Sequence, residues 1–223
     1  MFVRSGCARV PGTLAVKADT GLAPAVDRLA VAEVPEIGAE PPDAPAALAR
    51  PAAALVLGGA ETGDADLAAA LALVASAGRA ATVFLVNDRI ASAEGTHGVT
   101  LHPAKLPDWL ARRALAGLPA LAEVWCWQLA TLAGATHAIG DWGGSSGLLA
   151  VRAALRDHTR IILCGVPMDP GLGHFVRKRS WSHAIGFRKG WIAHRAELAP
   201  YVRSLSGWTR ITFGAPSAEW LAG

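Results

Sequence analysis

The chain reads as short apolar runs separated by helical patterns, and most of the runs end in glycine, asparagine or histidine. Residues 53–57 are apolar throughout and stop at Gly58-Gly59. Asp64 then opens a helical pattern that reaches Ala77 and closes at Gly78. Residues 82–86 form a second apolar run ending in Asn87-Asp88, and residues 98–101 a third ending in His102-Pro103. Residues 106–116 predict a helix, and residues 122–127 and 136–139 a fourth and a fifth strand. Ser145 opens a helix through Arg156 with Leu148, Leu149, Ala153 and Leu155 apolar, and residues 160–164 make a sixth strand before Gly165. Beyond Gly171 the pattern predicts a basic loop, a helix near residues 192–205 and a short strand near residues 209–213.

Strands that are apolar at successive positions are buried on both faces, and they alternate here with helices. The expected fold class is therefore α/β, a mainly parallel sheet flanked by helices, with right-handed crossovers. Ligands of such sheets bind beyond the carboxyl ends of the strands. The polar and glycine residues collect at those places: Gly58-Gly59, Asn87-Asp88, His102, the 143–147 turn and the 165–169 turn.

The first 50 residues differ. Pro35, Pro41, Pro42, Pro45 and Pro51 punctuate a stretch of alanine and acidic residues, and proline at that density blocks backbone hydrogen bonding. Residues 1–50 read as a poorly ordered Ala/Pro-rich extension with one short helix near residues 23–31, and residues 51–223 as the folded domain. A misassigned start codon would give the same appearance.

Composition narrows the class further. Hydrophobic residues make up 52% and charged residues 17% of the 223 positions, which excludes wholesale disorder. No run of about 18 uncharged apolar residues predicts a membrane span, and residues 1–10 lack the apolar core of a secretory signal. Cys7, Cys126 and Cys164 have neither disulfide-framework nor zinc-ligand spacing. Cys126 and Cys164 lie in apolar runs and read as buried, reduced thiols of a cytoplasmic protein. Charge is divided unevenly. Residues 1–170 carry 13 Lys/Arg against 16 Asp/Glu, whereas residues 171–223 carry 8 against 2. A basic block of this kind suits a polyanion or is a solvated surface.

Five stretches could carry chemistry. Gly58-Gly59 before a helix can turn backbone N–H groups to a phosphate or be an ordinary βα turn, and no G-x-G-x-x-G is present. Asp64-Ala65-Asp66 has the spacing of a metal-holding D-x-D, but at a helix start it reads first as capping. Asn87-Asp88 can read a base or ribose edge or form an Asx turn. Asp141-Trp142-Gly143-Gly144-Ser145-Ser146-Gly147 is the strongest signal, combining backbone access, two hydroxyls and a helix start. No G-x-S-x-G elbow accompanies it. The basic stretch HFVRKRSWSHAIGFRKGW, residues 174–191, interleaves Arg177, Lys178, Arg179, Arg188 and Lys189 with four aromatics. It can form a lid over a bound nucleotide, fill a small core, or track nucleic acid, in that order of preference. Gly171 and Gly173 would be its hinge, making residues 171–191 the candidate basic lid. Trp125 and Trp127 should share one strand face and pack at the core, with Trp208 and Trp220 anchoring the C-terminal tail.

The run Ser145-Ser146-Gly147-Leu148-Leu149-Ala150, then Ala153-Ala154-Leu155, then residues 160–169 with Gly165 and Asp169, resembles a module of two related groups. These are the archaeal-type 6-hydroxymethylpterin diphosphokinase-like proteins and the bacterial sialyltransferases of Rossmann-like type. The chain also resembles uncharacterised phage and prophage proteins sharing Val86-Asn87-Asp88, Leu101-His102-Pro103-Ala104-Lys105 and Ser206-Gly207-Trp208-Thr209. The resemblance implies a Rossmann-like fold and a transferase moving a glycosyl or diphosphate group from a nucleotide-linked donor. Nucleotide contacts would come from Gly58, Gly59, Asn87, Asp88, Ser145, Ser146, Gly147 and Asp169. Arg177, Lys178 and Arg188 would meet phosphate, and His183, aided by Arg179, would carry the proton transfer, with His174 and His102 as other candidates. The chain departs from the pattern at its early turn, which lacks the usual Pro-Ser. No metal ligand is identified, and Mg²⁺ is the cofactor a diphosphate donor would bring. The rival readings are a non-catalytic phage-related accessory protein and a nucleic-acid-binding module.

Overall fold

A computed structural model describes residues 52–128, 133–176 and 180–223, all within one compact unit spanning residues 41–223. The expected N-terminal extension and its short helix lie outside the described residues, as do Arg177, Lys178 and Arg179. Seven strands form one sheet, and every pairing in it is parallel. They are β1 (Ala52–Leu57), β2 (Ala80–Val86), β3 (His97–Thr100), β4 (Glu123–Cys126), β5 (His137–Ala138), β6 (Ile161–Cys164) and β7 (Val202–Ser204). The helices are α1 (Gly63–Ser76), α2 (Leu106–Leu115), α3 (Ser146–Ala154), α4 (Ala184–Ala193), α5 (Arg195–Leu198), α6 (Gly207–Phe213) and α7 (Ala218–Ala222). The fold is the expected α/β, Rossmann-like arrangement. No helix among the described residues is long and apolar enough to cross a membrane.

Continuous apolar runs become central strands because both sheet faces are covered. In β1, Ala54 and Val56 enter one core layer while Ala53, Leu55 and Leu57 enter the other. In β6, Ile161 and Leu163 divide from Ile162 and Cys164 in the same way. The first layer receives α3, where Leu148, Leu149, Ala150, Val151, Ala153 and Ala154 are all buried. Each leucine there contributes about 1.5–3 kcal/mol by leaving water. The second layer receives Ala70 and Val74 from α1 and Leu106 and Trp109 from α2. Cys126 and Cys164 are buried free thiols, and burial raises the pKa of both.

The strand order is β5-β4-β3-β2-β1-β6-β7. From β1 the chain moves outward through β5, then returns to place β6 on the other side of β1. The loops leaving β1 and β6 therefore diverge, and a crevice opens between them at the carboxyl edge.

The C-terminal quarter departs from expectation. The helix expected near residues 192–205 lies earlier, as α4 and α5, and residues 202–204 are β7, an edge strand paired to β6. The strand expected at residues 209–213 is instead helix α6. Thr209-Arg210-Ile211-Thr212-Phe213 is rich in β-branched residues like a strand, but tertiary bonding overrides that preference. Buried Thr209 donates its hydroxyl to Val166 O at 2.7 Å and meets Ser204 Oγ at 2.8 Å, which pins the first turn against the exit of β6. The tryptophan pair also separates. β4 ends at Cys126, so Trp125 is buried and Trp127 is 43% exposed. Trp208 and Trp220 pack at the edges of the two core layers.

Candidate functional site

The crevice is a cavity of about 740 Å³ at the carboxyl ends of β1, β2, β3 and β6. Of the expected site residues, Gly58, Gly59, Asn87, Asp88, Ser145, Ser146, Gly147, Asp169 and His183 all line it. These positions are as much as 125 residues apart along the chain (58 to 183), and the sheet edge brings them together.

The β1 turn forms one side. Gly58 N–H donates to Cys164 O at 2.8 Å, Ala60 N–H to Gly165 O at 3.1 Å and Glu61 N–H to Gly173 O at 2.9 Å. A Cβ at Gly58 would collide with the Gly165 carbonyl oxygen. The glycine is needed because two backbones meet there, and the three N–H groups are engaged by the protein itself. The D-x-D carboxylates are engaged too. Asp64 Oδ1 accepts Arg89 Nη1 at 2.7 Å. Asp66 Oδ2 accepts Ser206 Oγ at 2.7 Å, Gly165 N–H at 2.9 Å and Thr62 Oγ1 at 3.2 Å. Both carboxylates therefore brace the turn, Asp64 through Arg89 and Asp66 through Ser206 and the Gly165 N–H. Among the described residues no group of three or more His, Cys, Asp or Glu side chains could hold a metal ion.

The start of α3 forms the opposite side. Ser145 has extended backbone and is the N-cap, its Oγ accepting Leu148 N–H and Trp191 Nε1–H, both at 3.4 Å. Ser146 Oγ accepts Leu101 N–H at 3.1 Å. Both serines are at most 6% exposed. Each hydroxyl accepts, and neither has an acceptor for its own proton among the described residues. The first-turn N–H groups of α3 add their partial positive charge on the same side. A Cβ at Gly147 would stand 2.8 Å from Val166 Cγ1, so the glycine lets the helix start approach the β6 exit.

Asn87 and Asp88 follow β2. Asn87 has φ +55 and accepts Thr100 Oγ1–H at 2.8 Å. Asp88 Oδ1 accepts Trp109 Nε1–H at 2.8 Å, and its Oδ2 lies 3.5 Å from His174 Nε2. Val176 N–H donates to His174 Nδ1 at 3.2 Å. With Nδ1 accepting that bond, Nε2 is the ring nitrogen turned to Asp88. His102 is held below the usual imidazole pKa, first by burial and then by Lys105, against the opposing pull of Asp88. His183 is the exposed residue preceding α4.

The candidate lid divides. Residues 171–176 are laid on the β1 turn: Ala60 bridges His174, Gly173 bridges Ser180, and Phe175 N–H donates to Gly59 O at 3.0 Å. Phe175 lies 3.7 Å from the Arg89 guanidinium, centroid to Cζ. Residues 184–191 are the body of α4, in which Ala184, Gly190 and Trp191 are buried, Phe187 lines the cavity, and Ile185 and Lys189 are exposed. Arg188 does not line the cavity. Its Nε donates to Met168 O at 2.9 Å and its guanidinium lies over Trp208, bracing a residue with φ +50 beside Asp169. Asp169 accepts Gly171 N–H at 3.0 Å.

Sequence reasoning missed Thr100, Trp109 and Arg89. Arg89 is buried, donates to Gly58 O at 3.1 Å, and its Nη2 has no hydrogen-bond partner. The available signal was a basic residue three positions after the apolar run that ends at Val86, in a chain with acidic residues at the neighbouring helix start. No protein-family model, curated protein or solved structure matches the chain.

Proposed function

We propose that the chain is a transferase that binds a nucleotide-linked donor in the β1/β6 crevice, with a phosphate at the start of α3. One observation carries this reading: two nearly buried serine hydroxyls, with no acceptor for their protons among the described residues, line the cavity beside the first turn of a helix with eight of its nine residues buried, at the sheet's switch point. Donors fixed in this way meet a phosphate without reorganising, and a helix start adds about 0.3–1 kcal/mol for an anion. Among the described residues two non-glycines have left-handed backbone, Asn87 and Met168, and both line the same cavity. Backbone strain of that kind collects at ligand sites. The resemblance to diphosphokinase-like and sialyltransferase-like proteins supports the same chemistry, glycosyl or diphosphate transfer.

In this reading Ser145, Ser146 and Gly147 hold the phosphate of the donor, Asn87 orients it, and His183 on the rim accepts the proton of the acceptor hydroxyl. Mg²⁺ would enter with the donor's diphosphate, since the two D-x-D carboxylates are held by protein groups.

The test is a thermal-shift screen with CMP, CDP, UDP, GDP, ATP and a CMP-linked sugar, with and without Mg²⁺. A ligand at about 100 times its Kd stabilises the fold by about 2.7 kcal/mol, which raises Tm by roughly 5–10 °C for a domain of this size. A shift lost in Ser146→Ala supports the pocket. Transfer lost in His183→Ala with binding retained supports catalysis. Binding without transfer to any acceptor favours the non-catalytic accessory reading, and no shift with any nucleotide removes the proposal.

A further inference from the structure

The three residues leaving β3 arrange one wall of the cavity. Thr100 is fully buried. Its Oγ1 accepts His102 N–H at 2.9 Å and donates to Asn87 Oδ1 at 2.8 Å. The next residue, Leu101, donates its N–H to Ser146 Oγ at 3.1 Å. Both contacts have the same chemical result, because each occupies an acceptor. With its carbonyl oxygen taken, Asn87 has amide hydrogens left to offer. With its oxygen already accepting, Ser146 has its proton left to offer.

An amide side chain ordinarily presents either end after a half-turn. Here the turn would set the Asn87 amide hydrogens against a hydroxyl whose oxygen already receives the His102 N–H and whose proton would then lack an acceptor.

We propose that Thr100 is a positioning residue that fixes Asn87 as a hydrogen-bond donor, so that the ligand group meeting Asn87 and Ser146 is a phosphate oxygen. The proposal rests on the nucleotide reading above and sharpens it. Asn87 does not read the mixed donor and acceptor edge of a base. It selects for anionic oxygen, and an amine or N–H group presented there is rejected.

Calorimetric titration of the full chain with inorganic pyrophosphate and with CDP tests this. Thr100→Val should weaken both ligands at least about tenfold, the usual consequence of misplacing a donor to a charged group. Thr100→Ser keeps the hydroxyl and should stay within about threefold. The double variant Thr100→Val/Asn87→Ala should bind no more weakly than Asn87→Ala alone, because the threonine acts through the asparagine. Wild-type affinity in Thr100→Val, or losses that multiply in the double variant, would overturn the proposal. Asn87→Asp leaves Thr100 untouched and replaces the donor by a carboxylate. It should abolish pyrophosphate binding, and unchanged binding there would also overturn it. If wild-type protein binds pyrophosphate and a nucleotide while Thr100→Val binds them equally well, only the positioning role falls. If wild-type protein binds neither pyrophosphate nor any nucleotide, the nucleotide reading falls and takes this proposal with it.

Discussion

Two turns of this molecule look alike in sequence and differ in what they have left to give. Both the 58–63 turn and the 143–147 turn run through glycines into a helix start. At the first, Gly58, Ala60 and Glu61 N–H groups donate to carbonyls of the β6 exit and of residue 173, and both nearby carboxylates are held by Arg89, Ser206, Thr62 and Gly165. At the second, the serine oxygens accept from protein donors and their protons have no acceptor among the described residues. A glycine turn before a helix is therefore not in itself a phosphate site. What decides is whether the donors already have partners, and only the fold determines that.

The sharpest way to break the comparison is Gly58→Ala. The added Cβ meets the Gly165 backbone carbonyl and the β-branched side chain of Val166, so the fold should lose about 3 kcal/mol or more, at the upper end for overpacking. Chemical denaturation should show a lower midpoint, and a wild-type midpoint would mean that the β1 and β6 exits are not locked together. Next in size is Arg89→Leu. It leaves the Gly58 carbonyl without its side-chain donor and should cost about 1–3 kcal/mol, again read in denaturation. Nucleotide affinity at α3 should change little, because the lost contacts lie on the β1 side.

Ser146→Ala reverses that pattern. It should weaken phosphate-bearing ligands about tenfold, as loss of a hydrogen bond to a charged group does. Calorimetry should show this without the loss of cooperative folding expected of Gly58→Ala. The smallest effect concerns pH. Burial, opposed by Glu123 and Asp157 and helped by His137, holds His97 below its usual pKa. The folded state then binds fewer protons than the unfolded chain, so the deficit in stability begins near pH 6.5 and grows as pH falls through the lowered folded value. Burial also lowers His102. Tm should decline between pH 7 and 5, and His97→Gln should flatten part of that decline.

The central strands were legible because two-sided burial writes itself into the chain as unbroken apolar runs, as in β1 and β6. The N-cap at Ser145 was legible because capping is local. The C-terminal quarter was not. Thr209 is helical through bonds to Val166 and Ser204, and Val202 is a strand because β6 offers an edge. Local propensity carries neither fact. The site shows the same division. Asn87, Ser146 and Gly147 stood out by residue type and position. Thr100 became visible only when β3 paired beside β2, and the Asp88 partner of His174 only when its loop crossed back over the sheet edge. The basic segment looked like a single unit, yet its second half is helix α4, anchored by buried Trp191 and carrying Phe187 at the cavity wall.

The sheet order also has a temporal consequence. On one edge β1 pairs with β2, which follows it closely, and on the other with β6, some hundred residues later. At about 5–20 residues per second on a ribosome, that second edge waits roughly 5–20 s for its partner. During this interval Ala54, Leu55, Val56 and Leu57 form an apolar ribbon with open backbone groups, the kind of edge that recruits other chains. The crevice is incomplete for the same period, because Gly165 and the strap at residues 171–176 have not yet been made. Closure of the crevice and burial of the β1 edge therefore both wait on the docking of β6.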